Sequence, residues 1–206
     1  APLAGHAACA WRKCLINHTA VVHSDRGRYA RVVMNVILEE RGISKTLEGL
    51  ADEIEEAIPD RCAVGVIGIR ARGDDLARRL IGLLEARGVR DIASGVLDIT
   101  MYRDDLAEIG PSAVVRTTEI AFDVEGRFII LVDDVIHTGR SIRAALAAII
   151  DLGRPKSIRL CVLVDRGGRE LPIQPDFAGI RCDHGEGHVN VRLEESDGVD
   201  RVEAGT

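Results

Sequence analysis

No stretch of the 206 residues approaches the roughly 18 to 20 uninterrupted apolar residues that a membrane-spanning helix requires. With 29% of the chain charged, a spanning helix is excluded. Cysteine is sparse and poorly spaced for chemistry: Cys9, Cys14, Cys62, Cys161 and Cys182 are odd in number and form no CxxC or zinc-ligand pattern. The expectation is reduced thiols in a cytoplasmic protein, with no disulfide framework. Positive charge is also in deficit, 27 Lys plus Arg against 33 Asp plus Glu for a formal net charge of −6, which argues against a polyanion binder driven by bulk charge. Aromatic residues make up 3% of the chain, and basic residues such as Lys156, Arg159, Arg169 and Arg181 are scattered without runs or interleaved rings. No stacking platform for nucleic acid is visible. Internal repeats and low-complexity tracts are absent as well.

What remains is a chain of 46% hydrophobic residues and mean hydropathy +0.06, long enough to bury one sizeable core. Its first 33 residues stand apart, holding the only Trp, five basic residues and one acid, with no sustained helical or strand period. The expected division is therefore 1–33 as a disordered or non-native extension and 34–206 as the functional domain, beginning near Met34.

From there helix and strand patterns alternate. Leu47, Leu50, Ala51, Ile54, Ala57 and Ile58 recur at helical spacing and stop at Pro59. The run 63–69 (AVGVIGI) reads as a strand buried on both faces. A helix follows over 74–87 with Gly88 as its stop. Then come SGVLDIT (94–100), a polar segment over 102–118, FIILV (128–132), a helix over 141–152 closed by Gly153 and Pro155, IRLCVLV (158–164) and an edge strand at 189–193. This order predicts an α/β fold, a doubly wound and mostly parallel sheet flanked by helices. Ligands gather at the carboxyl ends of such strands, which points to the segments after Ile69, Thr100, Val132 and Val164.

The most informative run is 128–141, FIILVDDVIHTGRS, in which two adjacent carboxylates close a strand and a Thr-Gly-Arg-Ser turn opens a helix. A helix N-terminus with free N–H groups, a Gly and two hydroxyls suits a monophosphate. Asp133 and Asp134 would repel that phosphate if they faced it, so they are expected to accept hydrogen bonds from sugar hydroxyls or to act near a cation. A ribose 5-phosphate satisfies both halves, whereas a bare helix-capping arrangement is the plainer alternative.

Residues 129–141 resemble the phosphoribosyl pyrophosphate binding signature of type I phosphoribosyltransferases. More narrowly, 67–80 (IGIRARGDDLARRL), 97–106 (LDITMYRDDL) and 151–173 resemble the PyrR family, whose members combine uracil phosphoribosyltransferase activity with attenuation of pyrimidine operons. The resemblance implies a type I fold with a small hood, transfer of ribose 5-phosphate from phosphoribosyl pyrophosphate to uracil to give UMP, possession of a pyrimidine-operon mRNA partner in some members, and a homo-oligomer. It also implies residue roles. Arg70 to Gly73, with Ala71, Arg72 and Gly73 foremost, would bind pyrophosphate, and Asp133 and Asp134 the ribose hydroxyls. The stretch Val135, Ile136, His137, Thr138, Gly139, Arg140 and Ser141 would enclose the 5-phosphate. Arg103 and Arg116, in a segment suited to an active-site lid, would close over the leaving group, and Val164, Asp165 and Arg166 would read the base from the hood. Mg²⁺ would bind chiefly through the substrate, because no dedicated cluster of protein ligands is visible.

The chain departs from the PyrR pattern in places. His137 stands where Tyr is usual, and either assists deprotonation of uracil N1 or simply packs and hydrogen-bonds. Ser141 replaces Thr, Gly168 stands where many relatives have His, and 181–188 (RCDHGEGH) replaces a polar stretch. His184 and His188 suggest a metal site only weakly, since that segment reads as a Gly-rich loop. The residues support catalysis better than RNA binding, and a transferase for another base such as hypoxanthine or orotate remains an alternative.

Overall fold

A computed structural model of the chain describes residues 16–23, 29–102, 117–182 and 187–205, with side chains from residue 35 onward. In chain order the elements are β1 (Ile16–His23), β2 (Tyr29–Glu39), α1 (Glu40–Ala57), β3 (Val64–Ile69), α2 (Arg72–Ala86), β4 (Ala93–Leu97) and a 3-10 turn at Thr100–Tyr102. There follow β5 (Glu119–Ile120), β6 (Phe128–Ile136), α3 (Arg140–Leu152), β7 (Ser157–Asp165), β8 (Phe177–Arg181), β9 (His188–Arg192), the one-turn α4 (Glu194–Asp197) and β10 (Arg201–Gly205).

Six strands form the main sheet in the order β5-β4-β3-β6-β7-β8, parallel throughout except for the short antiparallel β5. The expected α/β architecture is present. Alternation along β6 explains how the sheet is covered. Phe128, Ile130 and Val132 pack beneath α1 and α2 with Ile54, Leu76 and Leu80, whereas Ile129 and Leu131 face α3 with Ala145 and Ile149. A sheet with apolar side chains on both faces needs helices on both, and the run lengths read from the sequence provide them.

The second, smaller sheet is antiparallel, β1-β2-β10-β9, and its Val191 and Val202, with Leu193 just after β9, join the core under α1 and α2. The strand expected at 189–193 does lie at an edge, but of this sheet rather than the main one. Strands β1 and β2 pair antiparallel, Ile16 opposite Val36 to His23 opposite Tyr29, over residues of which 16–33 show no legible strand period. Met34 falls inside β2, opposite Gly205, so residues 29–33 pair only with β1 while 34–39 carry β10.

Two boundaries shift in ways that matter for the site. Strand β6 runs on to Ile136, which places Asp133 and Asp134 inside the strand rather than after it. Strand β4 stops at Leu97, three residues before Thr100, so the loop at its carboxyl end begins with Asp98. Among the described residues no helix is long and apolar enough to cross a membrane.

Candidate active site

The carboxyl ends of β3, β4 and β6 enclose a cavity of about 270 Å³ lined by Arg70, Ala71, Arg72, Asp98, Ile99, Thr100, Asp133, Asp134, Val135 and Ser141, among others. A smaller cavity of about 80 Å³ is lined by Val135 to Gly139, Ser141 and Ile142. Val135 and Ser141 border both, so the two spaces abut around the start of α3.

Gly139 caps α3 in the left-handed conformation at φ 91°, no side chain caps the helix, and no acid stands in its first turn. The Arg140 N–H meets Thr138 Oγ1 at 3.4 Å, and the positive end of the helix dipole suits an anion at the N–H groups that follow. The Thr138 carbonyl accepts N–H bonds from Glu170 and Leu171 at 3.0 and 3.1 Å, which fixes the turn from behind. Arg140 does not bring its charge to this turn alone, because its Nε donates to Glu170 Oε2 at 2.6 Å.

Asp133 is buried and Asp134 half-buried. Asp133 Oδ1 accepts the Asp134 N–H at 3.0 Å and Asp134 Oδ1 the Val135 N–H at 2.8 Å. Burial, reinforced by the adjacent Asp134 charge, pushes the Asp133 carboxyl well above its ordinary range. Burial raises Asp134 as well, opposed by the Val135 N–H and by the nearby Arg72 cation. Two desolvated carboxylates side by side suit hydroxyl donors or positive charge arriving with a substrate.

The pyrophosphate loop differs from expectation in its parts. The Arg70–Ala71 peptide is cis, and Arg72 and Gly73 already belong to α2. Gly73 is the point where α2 meets β6: a Cβ there would lie 2.5 Å from the Val132 carbonyl oxygen. Its role in this structure is close packing. Arg72 lines the cavity but is held by Asp197, whose Oδ2 and Oδ1 accept from Nε and Nη2 at 3.0 Å each. Arg70, which also lines the cavity, approaches Glu119 at 3.4 Å.

On the expected hood side, Val135 and Ile136 of β6 lie opposite Val164 and Asp165 of β7. Val164 is core, and Asp165 turns its carboxylate inward to Arg169 Nη2 at 2.7 Å and the Gly167 N–H at 3.0 Å. The Arg166 N–H donates to the Ile136 carbonyl, while its Nη1 lies 3.3 Å from His137 Nδ1. Burial, followed by the Arg166 charge, lowers the His137 pKa, which leaves the ring neutral at physiological pH. With Nδ1 accepting from Arg166, the proton resides on Nε2 and the lone pair on Nδ1 is engaged by the guanidinium. This arrangement favours packing and hydrogen bonding as the His137 role.

His137 Nε2 also lies 2.7 Å from where a Cβ on Gly168 would stand, and Gly168 has φ +66°. The two departures at 137 and 168 therefore occupy one space, and a side chain at 168 would displace the imidazole.

Arg103 and Arg116 lie outside the described residues, as do residues 183–186 of the 181–188 segment. Among the described residues no group of three or more His, Cys, Asp or Glu is placed to hold a metal. Asp98, Ile99 and Thr100 line the cavity although the sequence reading named none of them as a site residue. Asp98 Oδ1 accepts the Thr100 N–H at 2.8 Å, an Asx turn that opens the 3-10 turn. The strand-end rule would have found it had β4 been ended at Leu97.

Residues 35–196 match the model of the phosphoribosyl transferase domain family. The chain is 49% identical over 167 residues to the bifunctional protein PyrR of Pelotomaculum thermopropionicum, covering 81% of this chain and 92% of that protein. It is 50% identical over 160 residues to the bifunctional protein PyrR of Thermus aquaticus, covering 77% and 88% respectively. The chain belongs to the PyrR family of phosphoribosyltransferases. Its fold is correspondingly similar to that of solved phosphoribosyltransferases of distant sequence. The hypoxanthine phosphoribosyltransferase of Trypanosoma cruzi superposes with TM-score 0.63 at 15% identity, over 82% of this chain and 94% of that one. A hypoxanthine-guanine phosphoribosyltransferase from Bacillus anthracis gives TM-score 0.62 at 16% identity, over 82% and 95%. The type I phosphoribosyltransferase fold expected of a PyrR-family member is the fold observed.

Proposed function

We propose that this PyrR-family chain transfers ribose 5-phosphate from phosphoribosyl pyrophosphate to uracil, and that the two abutting cavities hold the donor. The observation that carries this reading is the single stretch of β6 and α3 in which a buried carboxylate pair leads, within a few residues, to an uncapped and acid-free helix N-terminus. The 5-phosphate binds the leading N–H groups of α3 and the hydroxyls of Thr138 and Ser141. Asp133 and Asp134 accept the ribose hydroxyls. Arg70 and Arg72 face the pyrophosphate.

In the reaction the C1–O bond to pyrophosphate breaks, the bond from C1 to uracil N1 forms, and the N1 proton is lost. Positive charge grows on the ribose ring and negative charge on the leaving group, so catalysis is positioning and charge stabilisation. Mg²⁺ brought in with the donor would supply neutralisation of the leaving group, and the desolvated Asp133 and Asp134 would be the residues beside that added positive charge. Arginines at the cavity wall then hold the departing anion in place.

Turnover of the protein with phosphoribosyl pyrophosphate, Mg²⁺ and each free base in turn tests the assignment. UMP from uracil is expected; product from hypoxanthine or orotate with none from uracil overturns it. The transferase unit is taken as residues 34–206, in the cytoplasm, and a chain starting at Met34 is expected to keep its turnover; loss of turnover with the fold intact would refute that boundary.

The family reading also brings regulation of pyrimidine genes through a leader mRNA. Arg159 is ion-paired with Asp176 at 2.6 Å, and Arg169 is an internal strut that reaches Asp165 and the carbonyls of His137, Gly167 and Ile173. RNA contact is therefore assigned away from both. In a gel-shift titration with leader RNA, Arg159→Gln is expected to leave the salt slope unchanged, and a slope reduced by about one refutes the assignment.

A further inference from the structure

The segment joining β9 to β10 is fastened to α2 at three points. Arg79 reaches Glu195 through Nη2 at 2.5 Å and Asp200 through Nη1 at 2.6 Å. Ser196 Oγ donates to the buried Asp75, and Arg72 meets Asp197. The same carboxylates order the segment itself, since Asp197 Oδ2 accepts the Leu193 N–H at 3.1 Å and Asp200 Oδ1 the Glu194 N–H at 2.8 Å. Asp197 is thus held in place from within its own loop and from outside it.

Its grip on Arg72 is side-on, taking one N–H from Nε and one from Nη2. A guanidinium has five N–H donors in one plane, so a side-on carboxylate leaves the end-on edge, Nη1 and the second Nη2 hydrogen, available to a second anion. Arg72 lines the cavity that also holds Asp133 and Asp134. An unrestrained arginine at a cavity mouth would lose rotamer freedom each time it bound an anion. Clamping it beforehand removes that cost. The clamp also keeps the charge permanent: the hydrogen bond to Asp197 raises the Arg72 pKa, and Arg72 in turn lowers that of Asp197.

We propose that Asp197 is a positioning residue for the transferase reaction, fixing Arg72 side-on so that its end-on edge binds the pyrophosphate group of the donor. This rests on the transferase reading above, in that the anion at Arg72 is taken to be pyrophosphate. Asp197 itself touches no substrate; it acts through Arg72, across 125 residues of sequence. The carboxyl-terminal segment therefore contributes to donor affinity although none of its residues belongs to the phosphoribosyl pyrophosphate signature.

The test compares Asp197→Asn, Arg72→Gln and the double variant in KM for phosphoribosyl pyrophosphate, in kcat, and in calorimetric affinity for magnesium pyrophosphate. Asparagine keeps a carbonyl oxygen for the Leu193 N–H while removing the charge and one acceptor for Arg72. Asp197→Asn is expected to raise KM and weaken pyrophosphate binding by about tenfold, with kcat within about threefold, and to add nothing further in the Arg72→Gln background. An unchanged KM, or an equal loss in the Arg72→Gln background, overturns the proposal. Glu195→Gln loosens the same segment without touching Arg72. It is expected to lower the thermal midpoint and leave the KM in place, and a KM rise matching that of Asp197→Asn overturns the proposal in favour of general loosening. Pyrophosphate affinity separates this inference from the reading beneath it. Absence of UMP formation by the unmodified protein with pyrophosphate binding still lost in Asp197→Asn refutes the uracil assignment alone. UMP formation with pyrophosphate affinity unaltered in Asp197→Asn refutes the positioning role alone.

Discussion

Helices α2 and α3 both open at the carboxyl end of a parallel strand beside the same cavity, yet their N-termini are built in opposite ways. The first turn of α2 contains Asp74 and Asp75, Asp74 Oδ1 accepts the Asp75 N–H at 3.2 Å, and Asp75 bonds further to Arg78 and Ser196. The first turn of α3 has no acid and no capping side chain, and its cap is a left-handed Gly. A helix end that carries two carboxylates repels an anion at its backbone, so on the proposed reading α2 meets its anion through the arginines Arg70 and Arg72 instead. A helix end left open binds the anion directly. On the proposed reading, one fold would hold two anionic groups of a single donor by two different devices.

The largest effect is expected from giving α3 what α2 has. Ser141→Asp places a carboxylate where the 5-phosphate binds, a repulsion of about 4 kcal/mol at an effective dielectric of 20, or roughly a thousandfold in kcat/KM for phosphoribosyl pyrophosphate. The same change complements the helix dipole, so the thermal midpoint of the free protein should hold or rise slightly. Undiminished kcat/KM would dissolve the contrast between the two helices.

Next comes Asp134→Asn, which removes a charge-assisted acceptor facing the ribose and should cost about 1.5 to 3 kcal/mol, roughly ten- to a hundredfold in turnover, with the fold intact. Near-normal kinetics would sink the ribose assignment.

Asp133→Asn sharpens the comparison from the side of stability. Because burial raises the folded-state pKa of Asp133 above its unfolded value, the folded state holds its proton longer, and stability declines as pH rises from the unfolded value through the folded one. Asparagine removes that penalty. The variant should melt a few degrees above the parent at neutral pH, with the gain vanishing in acid where Asp133 is protonated in both states, while turnover falls. A melting point that stays below the parent's across the pH range would show that the buried charge is already compensated.

The smallest effect belongs to Asp74→Asn. Burial and the Asp75 charge raise the Asp74 pKa, so losing its charge relieves a cost while it forfeits a dipole contribution of some 0.3 to 1 kcal/mol. Its thermal midpoint and KM should move little. A tenfold KM change would mean that the acids of α2 take part in binding the donor.

Much of this site was legible because it is contiguous. The carboxylates, the Gly cap and the hydroxyls all fall within 133–141, and the strand and helix that carry them announce themselves by apolar runs and 3.6-residue spacing. Local periodicity likewise revealed α1, α2 and β3 to within a few residues. The illegible parts share one property: they depend on partners distant in the chain. Strands β2 and β10 pair across more than 160 residues and show little one-sided pattern, so only the ladder identifies them. Gly73 was read as a substrate contact, yet a Cβ there would strike Val132, an approach that no local pattern encodes.

By itself, then, the sequence determined the alternation of strands and helices, the family, and the 133–141 stretch that lines the two cavities, since each is written in neighbouring residues whose backbone geometry and chemistry act locally. Tertiary structure alone decided that Arg72 is clamped by Asp197, that Arg169 braces Asp165 and the His137 carbonyl, and that His137 takes the space a Cβ on Gly168 would need. An arginine's role depends on which carboxylates or carbonyls folding brings within about 3 Å, and that proximity is a property of the packed chain rather than of any segment of it.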